Sequence, residues 1–462
     1  MKPLLVRRAA KMPEAPHIPV AIVGGGACGL TAALRLRDLG VECLVLERDA
    51  SPTGSTALSS GFIPAAETRL QKSLGIEDSQ ALFAQDIQAK AHGAAAQHLV
   101  DAYVAAVPQA IDALELKHRI PFEILDGFLY PGHHARRMHA VAERTGAGLM
   151  AQLERAAHDA RADILTDAVV RELWVNSADR VLGLSYERPD GALEQLSCDV
   201  LILACNGFGG NTAMVDELLP AMREAAFAGH VGNDGCAITW GRQLGARLAD
   251  LGAYQGHGAW ATPQAALMSW AVMMEGGVQI NAAGARFHNE TLGYSEAAVL
   301  VLDQPGRVAW NVFDAPLLEM ARSFPDFMAL EKAGAVKTAA DEAALARVID
   351  CELSALHATL LAVRPGAVDA FGRSFRRALA PPFYAVKVTG ALFHTQGGLD
   401  IDSACRVIRA DGAPFANLLA AGGAARGVSG NAVWGYLSGN GLLSAIGGGW
   451  IAAATAAARL AG

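Results

Sequence analysis

The spacing of apolar residues changes several times along the chain. Residues 17–23, HIPVAIV, are an almost unbroken apolar run, as expected of a strand covered on both faces. Residues 30–39 carry apolar side chains three and four apart, the mark of an amphipathic helix, and residues 41–46 form a second apolar run. Farther on, residues 163–204 alternate with period two, which predicts an antiparallel meander with a hairpin at Pro189-Asp190-Gly191. Residues 253–384 mix helical patterns with short strands. No internal repeat or low-complexity linker interrupts the sequence.

The first strand leads into Gly24-Gly25-Gly26-Ala27-Cys28-Gly29 and then the helix, which is GxGxxG in the context it requires. Gly24 permits the tight turn, Gly26 lets a pyrophosphate touch the backbone, and Gly29 lets the helix pack on the strand while its amino-terminal amides face the anion. The second strand ends at Glu47, placed to accept hydrogen bonds from ribose hydroxyls. Together these predict a Rossmann-type α/β domain that binds a dinucleotide. Cys28, inside the loop, reads as a small packing residue.

Composition narrows the possibilities. A chain of 462 residues has room for two or three packed units. It is 52% hydrophobic and only 18% charged, which excludes disorder. A net charge of −8 lacks the basic surplus that nucleic acid requires, so no nucleic-acid partner is expected. Seven cysteines without CxxC or cluster spacing predict reduced thiols and a cytoplasmic setting. Arg7 and Arg8 could suggest a twin-arginine signal. No long apolar stretch follows them, so residues 1–16 read as a short disordered arm. Two uncharged stretches, 251–274 and 427–458, are broken by polar and glycine residues. They read as backbone lying close to a ligand, and no transmembrane segment is expected.

Immediately after Glu47, residues 54–61 read GSTALSSG. This small-residue segment resembles the flavin-contacting loop of the fumarate reductase and succinate dehydrogenase flavoprotein family, which includes ketosteroid dehydrogenases. The resemblance implies FAD, with Ser55, Thr56, Ser59, Ser60 and Gly61 against the flavin. In succinate dehydrogenases a histidine of this loop bonds covalently to FAD; the matching position is Ser55, which implies non-covalent FAD. Residues 199–211, DVLILACNGFGGN, are similar to the strand returning to the nucleotide domain, with Asn206 and Gly207 in its turn. Residues 393–398, FHTQGG, are similar to the second hinge, and 418–443 to the terminal flavin-binding segment, with Gly423, Gly441 and Leu442 at the cofactor. Val170 falls where the family's backbone meets adenine. The implied architecture is an arm (1–16), an FAD-binding domain in two parts (17–252 and 385–462) and an inserted α+β cap (253–384), the two lobes closing over a substrate at their junction.

In soluble fumarate reductases two histidines and two arginines surround the substrate. The histidines match His257 and His394, whereas the arginine positions hold Tyr294, beyond Arg286-Phe287-His288-Asn289-Glu290, and Tyr436, before the terminal glycines. An arginine stays cationic and clamps carboxylates; a neutral phenol donates, accepts or ionises. The pattern is therefore similar to that of ketosteroid dehydrogenases. It implies oxidation of a CH–CH bond beside a carbonyl in a cyclic ketone, keto acid or ketosteroid-like substrate. Tyr436 and His394 polarise the carbonyl, and Tyr294, as phenolate or through a relay, removes the α proton while hydride passes to flavin N5. His257 holds a carboxylate or second polar group. Trp260, Trp270 and Trp434 line a flat pocket or belong to ordinary core. Electrons pass to oxygen, a quinone or a diffusible carrier. An ene-reductase running the reverse reaction and a non-catalytic flavin-binding protein are the alternatives. The basic cluster His133, His134, Arg136, Arg137 and His139 reads as a solvated or domain-contact face, and no metal site is expected.

Overall fold

The computed structural model describes residues 3–126, 129–366 and 368–462. The chain forms two compact units: one comprises 1–218, 229–254 and 394–462, the other 219–228 and 255–393.

The first unit is built on a nine-stranded sheet. Its strands include β1 (Leu5–Arg8), β2 (His17–Val23), β3 (Cys43–Leu46), β4 (Asp163–Leu165), β5 (Val169–Val175), β6 (Val181–Glu187) and β7 (Leu193–Leu203), in the spatial order β1-β5-β6-β7-β2-β3-β4. Strands β7, β2, β3 and β4 run parallel, with Ile202 beside Ile22 and Ile22 beside Val45. Such strands are covered on both faces, and Val20, Ala21, Ile22 and Val45 are accordingly fully buried. Strands β5, β6 and β7 form the predicted antiparallel meander. Helix α1 (Ala27–Asp38) buries Leu30, Leu34 and Leu36, the apolar positions of the predicted helix.

Three readings from the sequence change here. The segment expected to be a disordered arm contains β1, which pairs in parallel with β5 and is held by the ion pairs Arg7–Glu172 and Arg8–Asp179. Its backbone donors and acceptors find an open sheet edge, a gain that its polar composition does not advertise.

Two glycines of the 427–458 stretch serve a different end. The C-terminal helix (Asn440–Ala461) is apolar and long enough to cross a membrane, but 61% of that apolar window is buried inside the protein. It packs on α1 and on the helix Gln97–Leu116: a Cβ added at Gly449 would stand 2.4 Å from the carbonyl oxygen of Cys28, and one at Gly447 would touch Tyr103. Helix-to-helix approach, rather than a ligand, accounts for these two glycines.

The basic cluster is solvated only in part: His134 and Arg136 are exposed, whereas His133, Arg137 and His139 are buried. Arg137 bridges Asp78 (2.8 Å) and Asp86 (2.6 Å) with its side chain fully covered, and burial pushes His133 and His139 down to about 4. Two carboxylates and the neutral imidazole of His133 satisfy a guanidinium that would otherwise be too costly to bury.

The second unit holds most of a seven-stranded sheet, including β8 (Tyr254–Ala261), β9 (Val278–Ile280), β10 (Ala309–Asp314) and β11 (Phe383–Thr395), in the order β8-β11-β10-β9. Helix α2 (Tyr294–Leu302) buries Ala297, Ala298 and Val301. Gly256 and Gly258 allow β8 to lie against it, since a Cβ at either would meet Ala298 or Ala297 within 3 Å. Beside this contact Glu290 is fully buried between Arg286 (2.6 Å) and Arg373 (2.7 Å). Those arginines hold its carboxyl below the usual range despite burial, so the ends of the Arg286–Glu290 stretch belong to a structural ion-pair cluster.

Candidate active site

Gly24, Gly26 and Gly29 follow the carboxyl end of β2, and Asn206 and Gly207 follow that of β7. Gly24 has φ +108°, and a Cβ there would stand 2.5 Å from the Ala204 carbonyl oxygen. At Gly29 an added Cβ would stand 1.9 Å from the carbonyl oxygen of Gly24, so strand and helix meet closer than any side chain allows. Gly26 differs from both: the nearest atom to an added Cβ is Thr56 Oγ1 at 3.7 Å. It stands at the start of α1, whose amino terminus no side chain of the cap residue closes. Glu47 is buried and accepts hydrogen bonds from the amides of Gly25 (2.7 Å) and Asp49 (2.9 Å). Cys28 is buried and its thiol is pushed up to about 12, which removes it from thiolate chemistry.

The small-residue loop continues this cradle. Thr56 Oγ1 accepts from the Ala27 amide at 3.3 Å, and Ser59 Oγ donates to the Thr56 carbonyl at 2.7 Å while accepting from Gly61. Gly61, at φ +72°, lies against Thr145, where a Cβ would come within 2.7 Å of backbone oxygen. Ser60 is half-buried beside it. Ser55 Oγ accepts from Asn233 Nδ2 at 2.8 Å. Across the β7 turn, Asn206 adopts φ +63° and accepts from the Gly207 amide at 2.8 Å. Gly207 leaves room for Thr395, and Gly423 for the Asn206 side chain, which an added Cβ would meet at 1.9 and 2.1 Å. Val170 is buried in β5 with its backbone paired to Tyr186.

His394, Tyr436, Gly441 and Leu442 belong to the same unit. The helix Asn440–Ala461 begins after Gly439 in the left-handed conformation, again without a capping side chain. Gly441 keeps its first turn open: a Cβ would stand 2.9 Å from both Cε1 and Nε2 of His394. Tyr436 is buried and meets His394 edge-on, ring centroids 5.6 Å apart at 75°. Burial pushes His394 down to about 4, so it is neutral at physiological pH.

The second unit brings together His257 and Tyr294. Their rings stack at 4.8 Å with 20° between planes. His257 Nδ1 accepts the amide hydrogen of Ala259 at 3.1 Å, which leaves the proton of the neutral ring on Nε2. Burial pushes this imidazole down to about 3. Trp270 and Phe393 pack on it, both at 5.7 Å, and Trp260 meets Phe393 edge-on. Trp270 also donates its indole N–H to the Glu290 carbonyl at 3.0 Å. Trp434, in the first unit, is 47% exposed and stacks on His92, outside any core.

Two helix amino termini whose cap residues are glycines, a glycine turn without room for side chains and a buried carboxylate fit an extended dinucleotide. Residues 19–442 match a family described as FAD binding domain. The chain belongs to that family. Among relatives of this FAD binding domain protein is NADH:fumarate oxidoreductase of Klebsiella pneumoniae (strain 342), 28% identical over 89% of this chain, of which the chain spans 45%. Another is 4-oxocyclohexanecarboxylate 2-dehydrogenase of Sinomonas cyclohexanicum, 24% identical, covering 88% of this chain and 87% of the relative. The fold is also that of 3-ketosteroid-Δ4-(5α)-dehydrogenase from Rhodococcus jostii RHA1, with a TM-score of 0.80 and 23% identity over 99% of this chain and 100% of the other.

Sequence reasoning missed one group in this FAD binding domain protein: the buried polar side chains behind His394. Gln396 Nε2 donates to His394 Nδ1 at 3.0 Å, Ser429 Oγ donates to Gln396 Oε1 at 2.9 Å, and Asn440 Nδ2 donates to Ser429 at 3.0 Å. A partial signal was present, since residues two apart in an extended chain share a face. Ser429 comes from a loop and Asn440 from the start of the C-terminal helix, and no local pattern encodes their closeness to Gln396.

Proposed function

We propose that this chain is an FAD-dependent oxidoreductase that acts on a CH–CH bond beside a carbonyl, desaturating a cyclic ketone or keto acid to the enone. The observation that carries the reading is a phenol packed on a neutral imidazole in each unit: Tyr294 on His257, and Tyr436 against His394. Neutral donors suit a carbonyl oxygen, whereas a dicarboxylate calls for cations. In the second unit, Arg286 and Arg373 are committed to Glu290. The cyclic keto acid named in the Sinomonas relative supports the substrate class.

In this mechanism Tyr436 and His394 donate to the carbonyl oxygen and stabilise the negative charge that collects there as the α carbon loses its proton. Tyr294 receives that proton on its phenol oxygen, as phenolate or through a relay. His257, with Nε2 protonated, offers a hydrogen bond to the carboxylate or other polar end of the substrate. FAD, held by the Gly24–Gly29 turn, Glu47 and the 54–61 loop, would supply the acceptor for the β hydride and the link to oxygen, a quinone or a carrier. The seven thiols, none of them in a disulfide, fit a reducing cytoplasm.

Anaerobic mixing with 4-oxocyclohexanecarboxylate and related cyclic ketones tests the reading. The flavin absorbance at ~450 nm should bleach and an enone should form stoichiometrically. Reoxidation of the reduced protein by enones, with no bleaching by ketones, would assign a reductase, and absence of both would leave a flavin-binding protein without turnover. Ser55 at the loop position also implies that acid precipitation releases all the flavin into the supernatant. Yellow colour in the pellet would refute non-covalent attachment.

A further inference from the structure

Which nitrogen of His394 carries the proton decides whether this ring gives or takes a hydrogen bond, and the buried chain behind it bears on that choice. Gln396 is 4% exposed, Ser429 2% and Asn440 fully buried. Because Ser429 Oγ donates to Gln396 Oε1, the amide of Gln396 is oriented with its NH2 toward His394 Nδ1 at 3.0 Å. The carbonyl oxygen of Thr395 lies farther from the same nitrogen, at 3.3 Å. The backbone of Gln396 is fixed as well: its amide donates to Ala253 and its carbonyl accepts from Gly427, both at 2.8 Å. No described residue hydrogen-bonds Nε2 of His394, which faces the open side of Gly441 at the start of the C-terminal helix.

We propose that Gln396 is a positioning residue: it holds His394 with Nδ1 as acceptor, and so aims an Nε2–H donor at the substrate oxygen. The inference rests on the reading under Proposed function, since the donor is useful only if a carbonyl or enolate oxygen stands before it. Ser429 and Asn440 keep the amide from turning over. The opposite arrangement, with Gln396 Oε1 on a protonated Nδ1, would present a lone pair to the same oxygen and repel it. The two arrangements differ by a flip of one amide, and Ser429 selects between them because the Asn440 NH2 occupies its oxygen and leaves its proton for Gln396 Oε1.

The test uses the full FAD-loaded protein labelled with [15N]histidine, with His394→Ala to assign the resonance. His394 should show the Nε2–H tautomer. Gln396→Glu, nearly the same shape but able only to accept when ionised, should move the proton to Nδ1 or yield an imidazolium. With the proton on Nδ1 alone, bleaching by the ketone should slow by about a hundredfold, the scale of losing one donor at a developing oxyanion, whereas the imidazolium keeps its Nε2–H and shows itself in the pH profile. The rate should also acquire a new ionisation nearer neutrality, because an adjacent carboxylate favours the charged ring. The flavin spectrum and melting temperature should hold. Ser429→Ala keeps Gln396 and releases its amide, so it should give mixed tautomers and a smaller loss even if the glutamate variant folds poorly. An Nδ1–H signal in the unaltered protein, or a Gln396→Glu rate with an unmoved pH profile, overturns the assignment. If the unaltered protein exchanges electrons with neither ketones nor enones, the reaction class fails instead, while the nitrogen shifts still decide the role of Gln396.

Discussion

Tyr294→Phe should bind FAD with an unchanged spectrum and lose about 10²- to 10⁴-fold in the rate of ketone-driven bleaching, the range expected when a general acid or base is removed. The substitution deletes one oxygen and keeps the ring that stacks on His257 at 4.8 Å, so the aromatic packing survives. Tyr294 is half-buried at the first position of α2, where the loss of a hydroxyl costs little packing. Rapid mixing under anaerobic conditions isolates the reductive half-reaction from any effect on the electron acceptor. Solvent exchange at the α carbon gives a second readout: the variant should stop washing deuterium into the ketone. An unchanged single-turnover rate would remove Tyr294 from the proposed mechanism.

Gly29→Ala should abolish stable FAD binding and lower the melting temperature markedly. The added methyl would stand 1.9 Å from the carbonyl oxygen of Gly24, a backbone atom in the strand-to-helix turn. Either α1 moves off the sheet or the turn opens, and both displace the amides at the start of α1 that a bound pyrophosphate would need. Overpacking of this kind typically costs about 1–3 kcal/mol before any loss of cofactor stabilisation is added. Gly40→Ala provides the control. Gly40 also has a positive φ, +74°, but no atom lies within 4 Å of an added Cβ. That variant should show the modest strain of a left-handed alanine and remain yellow. Flavin retained after gel filtration distinguishes the two, and a yellow Gly29→Ala protein of unchanged melting temperature would contradict the account of the turn.

The nucleotide half of the fold was legible because its signals are local. The run ending at Val23, the glycines from Gly24 to Gly29 and the apolar spacing of α1 are contiguous, and each has a backbone reason to be where it is. The meander was legible from its period-two alternation. The family resemblance carried the choice of FAD and pointed to His257, Tyr294, His394 and Tyr436, residues that composition alone does not distinguish from core aromatics. What stayed hidden depends on partners distant in sequence. Arg137 looks like a surface charge until Asp78 and Asp86, more than fifty residues earlier, close around it. The edge strand Leu5–Arg8 exists because β5 leaves backbone groups to pair with, a property of the assembled sheet. Gln396 is unremarkable in FHTQGG; its part follows from Ser429, thirty-three residues away.

The contact between Gly449 and the carbonyl of Cys28 joins the last helix to the turn of the first. More than four hundred residues separate these two points, and the whole second unit is translated between them. During synthesis the glycine turn therefore emerges long before the helix that covers it, so the nascent nucleotide cradle must wait with an uncovered apolar flank. Loops of that length close slowly, and the exposed flank is where off-pathway association would begin. Riboflavin supply would then bear on the yield of folded protein as well as on its activity, because FAD captured at the moment of closure stabilises the completed unit by mass action.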